Sequence, residues 1–222
     1  MGSMLKDNEN SPVKGNQMLI LHDMLESGNC YKVRLLLALQ GTPFKSIAIA
    51  PSAGQSSTPE FLALNPKGAV PFLQYEDGRT LAESNAILLH LAEGADHLPA
   101  DSFERAKVYE WLFFEQYSHE PNIAVRISLS TIANRAHLAT EERMATLMEG
   151  GMKALTAMEI QLAKTPFIVG DSFTVADIAL FAYTHKADKG GFDLSPFPKI
   201  EDWLQRVRAI DGFVAMDWLP SL

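Results

Sequence analysis

Between Met18 and about Glu93 the apolar positions fall in short runs that alternate with helically spaced ones. Residues 19–22 form an apolar run with the length of a strand, followed by a loop over 23–28. Residues 30–39 read as a helix, with Val33, Leu36 and Leu37 on one face, and Gly41, Thr42 and Pro43 stop it. Phe44–Ala48 has the pattern of a second strand and Pro59–Leu64 that of a short helix. Residues 70–75 and Thr80–Ala82 flank Glu76-Asp77-Gly78-Arg79, and an Asp-Gly so placed predicts a hairpin. Residues 84–91 predict a helix capped by Ser84. The resulting order, β-α-β-α-β-β-α, suits a small mixed sheet covered by helices.

Residues 94–100 carry Gly94 and Pro99 and read as a linker. Beyond them no strand pattern appears. Helical spacing covers 103–117, 141–164, 175–187 and 199–210, with Gly150-Gly151 marking a kink or a packing contact in the second of these. Thr174 and Asp177 have the spacing of a capping box at the head of the third. The expectation is an α+β fold: a mixed domain over 18–93, then an all-helical domain over 101–222.

Composition narrows the function classes. With 47% hydrophobic residues among 222, wholesale disorder is excluded. Nineteen basic residues against twenty-seven acidic ones leave a net charge of −8, which argues against a nucleic-acid or anionic-membrane partner. The longest apolar runs, 86–92 and 178–183, fall far short of the roughly 18 residues that span a bilayer. Cys30 is the single cysteine, so no intrachain disulfide can form, and a reducing, cytoplasmic setting is expected. The six histidines lack metal-site spacing, so no metal is expected. Residues 1–17 lack the apolar core of a signal peptide and read as a polar extension or tag.

Three stretches point further. They are Glu26-Ser27-Gly28-Asn29-Cys30-Tyr31-Lys32-Val33-Arg34, then Asn65-Pro66-Lys67-Gly68-Ala69-Val70-Pro71 with Glu83-Ser84-Asn85-Ala86-Ile87, then Thr174-Val175-Ala176-Asp177. In this order they resemble the cytosolic glutathione transferases, a thioredoxin-like domain joined to a helical one. The resemblance implies glutathione as co-substrate. It implies a cis bond before Pro71 and pairing of the Val70 backbone with the cysteinyl amide of glutathione. Glu83 would take the ammonium of the γ-glutamyl end, and Ser84 with the helix N-terminus its carboxylate. Gln55 and Ser56 fall where relatives hold the glycyl carboxylate. Many relatives carry Lys, Arg or Gln just before the Val-Pro pair. This chain has Ala69 there and its lysine at Lys67, which either replaces that contact or leaves it absent.

Transfer requires a thiolate, because the thiol is a poor nucleophile. Three neighbours compete to activate it. Ser27 aligns with the serine of theta- and zeta-like classes. Asn29 aligns with the asparagine of nu-like bacterial enzymes, and Cys30 with the cysteine of the beta class. Met24, Leu25, Phe114, Tyr117, His119 and Arg126 are candidates for the electrophile's surroundings. The implied activity is a detoxifying conjugation of glutathione to a small hydrophobic electrophile, catalysed by Ser27 or Asn29 in a homodimer. The alternatives are a glutathione-dependent disulfide reductase or peroxidase, and a non-catalytic binding protein of the same fold.

Overall fold

β1 (Leu19–Asp23) is the strand on which the mixed sheet is assembled. A computed structural model describes residues 18–220, and the extension expected over 1–17 lies outside the described residues. The chain divides into two compact units, one running to Ala100 and taking back the tail from Val214, the other spanning Asp101–Phe213. In the first, β1, α1 (Gly28–Leu39), β2 (Phe44–Ala48), α2 (Pro59–Leu64), β3 (Phe72–Gln74), β4 (Thr80–Ala82) and α3 (Ser84–Ala92) follow the expected βαβαββα order. The strands lie in the order β2-β1-β3-β4. The α1 crossover makes β1 and β2 parallel, whereas the tight Asp77-Gly78 turn makes β3 and β4 antiparallel.

Leu19, Leu21, Val33, Leu36, Leu37, Phe72, Ile87 and Leu88 are fully buried and make this unit's core. α1 is buried well beyond its apolar face, since Tyr31, Lys32 and Arg34 are also enclosed. Two of these explain why the tail, which the sequence places in the helical domain, clusters with the sheet instead. Tyr31 Oη donates to Val214 O at 2.7 Å, and Arg34 Nη2 to Met216 O at 2.9 Å.

The second unit comprises α4 (Ser102–Phe114), α5 (Glu120–Thr131), α6 (Glu141–Leu162), α7 (Val175–Thr184) and α8 (Pro198–Arg208). α5 has no counterpart among the sequence-predicted helices. Pro121 would leave a gap in a regular helical hydrogen-bond ladder, and the turn immediately before it departs from that ladder. A π-helical turn, Glu115–His119, bridges α4 and α5. The Gly150-Gly151 pair is a packing contact: α6 runs through it unbroken, and a Cβ at either position would collide with Asn122 or Phe192.

All ten residues of α7 are buried, which makes it the unit's central helix. The Thr174–Asp177 capping box opens it, and Asp177 serves two further elements. Its carboxylate also accepts from Ile168 N and Trp203 Nε1, both at 2.9 Å. Burial pushes the Asp177 carboxyl up to about 6, against the opposing pull of these donors.

Candidate functional site

Strand register carries the sequence-selected residues to one end of the sheet. Asp23 at the end of β1 lies beside Ala48 at the end of parallel β2. Phe72, which starts β3, lies between His22 of β1 and Ala82 at the end of β4. The segments leaving β1, β2 and β4 and the segment entering β3 therefore emerge together. They carry Ser27 and Asn29, Gln55 and Ser56, Glu83 and Ser84, and Val70 and Pro71 respectively.

A buried ion pair shapes the loop after β1. Arg34 and Asp23 pair with side chains 0% and 2% exposed, and Ser46 Oγ donates to the second carboxylate oxygen at 3.1 Å. The guanidinium also donates to Leu25 O at 2.8 Å, so one side chain fixes both the strand end and the loop that leads to Ser27. Sequence reasoning missed this pair. Its only signal was two opposite charges flanking the loop.

Ser27 is the N-cap of α1, and its Oγ accepts from Cys30 N at 3.3 Å. That hydroxyl also hydrogen-bonds the Cys30 thiol and pulls its pKa down, so donating to a ligand sulfur means turning its hydrogen away from Cys30. Cys30 is fully buried, and its Sγ accepts from Met24 N at 3.4 Å. Burial, helped by the charge of Asp23, pushes its thiol up to about 12. A thiol so placed stays protonated at neutral pH and out of reach of a ligand disulfide. Tyr31 spends its hydroxyl on the tail.

Asn29 and Ser84 meet across the sheet end. Ser84 Oγ donates to Asn29 Oδ1 at 3.3 Å, and buried Lys32 donates to the same hydroxyl at 3.4 Å and to Asn85 Oδ1 at 3.4 Å. Asn29 accepts here through Oδ1, and its donor group is Nδ2. The N-cap position of α3 belongs to Glu83, not to Ser84 as the sequence pattern suggests, and no side chain caps the helix. Ser84 lies inside the first turn, where helix N–H groups lack intrahelical partners. Glu83 is the one non-glycine with positive φ among the described residues, at 75°. Its carboxylate pairs with the Lys67 ammonium at 2.6 Å.

The Val70–Pro71 bond is cis. Neither the N–H nor the C=O of Val70 has a hydrogen-bond partner among the described residues, although both adjoin a sheet. Gln55 is exposed, and its Oε1 closes the preceding loop by accepting from Ala50 N at 2.7 Å. Ser56 is buried beside it.

In the helical unit, two of the residues considered for the electrophile have internal duties. His119 is buried against Thr184 Oγ1 at 2.8 Å. Arg126 donates to Gly190 O at 2.6 Å and also to Met144 O, which ties α5 to its neighbours. Phe114 packs edge-on against Trp111 at 5.0 Å, and Tyr117 is 88% exposed. Among the described residues no three His, Cys, Asp or Glu side chains are grouped to hold a metal ion. No helix among them is long and apolar enough to cross a membrane.

Comparison with known proteins identifies the family. The family model described as "Glutathione S-transferase, N-terminal domain" matches residues 26–93, and "Glutathione S-transferase, C-terminal domain" matches residues 135–206. The chain is 31% identical to a maleylacetoacetate isomerase of Rhizobium meliloti (strain 1021), over 87% of this chain and 93% of that protein. It is 32% identical to glutathione S-transferase D7 of Anopheles gambiae, over 85% of each. Among solved structures, a glutathione S-transferase from Pseudomonas fluorescens [Pf-5] superposes with a TM-score of 0.87 at 46% identity, covering 89% of this chain and 98% of that one. Both domains of one family are thus matched in order along the chain, and the protein belongs to the glutathione S-transferase family.

Proposed function

We propose that the protein is a glutathione transferase, which binds glutathione as co-substrate, holds its sulfur as the thiolate and directs it at a small hydrophobic electrophile. The observation that carries this reading is the unpartnered Val70 backbone beside Pro71, at the sheet end that also gathers Ser27, Asn29, Glu83 and Ser84. An extended peptide can add to such an edge through its main chain, which suits the cysteinyl segment of glutathione. Its γ-glutamyl carboxylate would enter at the N-terminus of α3 beside Ser84, and its ammonium would meet Glu83. Gln55, with its Oε1 already accepting, would offer Nε2 to the glycyl carboxylate. The sulfur would then receive the Ser27 hydroxyl hydrogen, with the first turn of α1 adding its positive end. Holding both reactants in one place supplies much of the remaining acceleration.

The placement of Asn29 beside Ser84 at the sheet end leads to a second reading, in which Asn29 Nδ2 is the main donor to the sulfur and, as in the nu-like enzymes it resembles, the preferred reaction is disulfide reduction. The parent protein's turnover of a model aromatic electrophile, set against its turnover of a mixed disulfide, separates the two.

Glu83→Gln tests the ligand's orientation. It preserves size but removes the charge opposite the ammonium, and should weaken glutathione binding by roughly 1.5–3 kcal/mol in calorimetry. An unchanged affinity would remove Glu83 from the site.

A homodimer completes the proposal. Phe103 and Phe113 of α4 and Tyr117 just beyond it are 74%, 71% and 88% exposed in the single chain. Phe113 and Tyr117 are four residues apart, with Phe103 about 15 Å back along the helix, and exposed apolar side chains in such a row suit an interface better than water. Sedimentation at micromolar concentration should show twice the mass of one chain. A single-chain species would count against the dimer.

A further inference from the structure

Lys67 gives the ligand's ammonium a competitor inside the protein. Its Nζ lies 2.6 Å from Glu83 Oε1, and the two side chains are 55% and 57% exposed. Backbone geometry brings both residues to this meeting. Asn65, 3% exposed, accepts from Lys67 N at 3.3 Å and donates to Ala69 O at 2.8 Å, spanning the turn that presents the lysine. Gly68 completes that turn at φ 61°, where a Cβ would come within 3.1 Å of Ser56 O. On the opposite side, Glu83 is held at the head of α3 in its positive-φ conformation.

We propose that Lys67 determines how strictly the site demands an amine on its ligand, an inference that rests on Glu83 as the ammonium subsite. In the unliganded protein the lysine neutralises Glu83. Glutathione brings its own ammonium, so binding exchanges one cation for another and gains less than an unpaired Glu83 would give. A ligand with the carboxylate but no amine leaves the Lys67–Glu83 pair standing. The neutralised Glu83 then does not repel that carboxylate at the adjoining helix N-terminus. Lys67 thereby widens the ligand range towards γ-glutamyl-like groups whose amine is acylated or missing.

The test is calorimetry at low salt with two ligands, glutathione and its deamino analogue, in which hydrogen replaces the amine. The proteins are the parent, Lys67→Met, Glu83→Gln and the double variant. Lys67→Met should tighten glutathione by about two- to five-fold, the scale of one exposed ion pair, and should weaken the deamino analogue. Both effects should vanish in the Glu83→Gln background. If Lys67→Met weakens both ligands alike in both backgrounds, the lysine touches the ligand instead and the inference falls. No change with either ligand overturns it too, because the pair then does not persist in solution. A Glu83→Gln variant that binds glutathione like the parent strikes the ammonium subsite itself, which a failure confined to Lys67→Met does not.

Discussion

Ser27→Ala is expected to slow conjugation near neutral pH by about ten- to a hundred-fold, with most of the rate returning at higher pH. A hydrogen bond to a charged acceptor is worth about 1.5–3 kcal/mol, and one pKa unit corresponds to about 1.36 kcal/mol. Losing the Ser27 donor should therefore raise the pKa of bound glutathione by roughly one to two units, towards the free-thiol value near 8.5. Above that pH, solvent removes the proton and the variant catches up. Asn29→Ala should have an intermediate effect and also weaken glutathione binding, because Asn29 orients the Ser84 hydroxyl. Cys30→Ala should change turnover little, since a buried thiol pushed up to about 12 supplies no thiolate. The measurement is a pH profile of kcat/KM with the thiolate absorbance of bound glutathione followed in parallel. If Asn29→Ala is the most damaging, and disulfide reduction outruns conjugation in the parent, the asparagine reading replaces the serine one. Unchanged thiolate absorbance in Ser27→Ala at every pH would sink the serine mechanism.

Arg34→Ala should destabilise the protein by about 3–5 kcal/mol, the scale for breaking a buried ion pair from one side. Asp23 would be left charged and 2% exposed, with Ser46 as its remaining side-chain donor. Leu25 O and Met216 O would each lose a partner, so the loop before Ser27 and the tail should loosen together. Arg34→Lys should recover only part of the loss, because an ammonium cannot reach several acceptors in the fixed directions of a guanidinium. Urea unfolding measures the loss, and the Asp23→Ala, Arg34→Ala double variant should fall well short of the sum of the singles. A loss below about 1 kcal/mol would mean that water screens the pair, as it does for surface ion pairs.

The order of elements in the first unit and the start of α7 in the second follow from local rules. Short apolar runs, helical spacing over α1, the Asp77-Gly78 turn and the Thr174–Asp177 box each act within a few residues, so each was readable from the chain. Where local rules had two outcomes, neighbours decided. Gly150-Gly151 reads as a kink or a contact until Asn122 and Phe192 fill the space. Ser84 has the pattern of a cap, yet the chain reaches α3 through Glu83 at positive φ and turns the serine towards Asn29.

Apart from Gln55 and Ser56, the candidate glutathione-site residues were present in the quoted motifs, and their relation to one another was not. Periodicity tells which face of a strand is buried, but it does not tell which neighbour a strand pairs with, or in which register. That register brings Ser84 against Asn29 and opens the Val70 backbone at the same end. Burial of charge was hidden for the same reason. Lys32 and Arg34 fall on the polar side of a helical pattern, and only the packing of the sheet, α3 and the tail encloses them. Cys30 went from nucleophile candidate to protonated core thiol through desolvation, a property of everything packed around it and of no residue spacing.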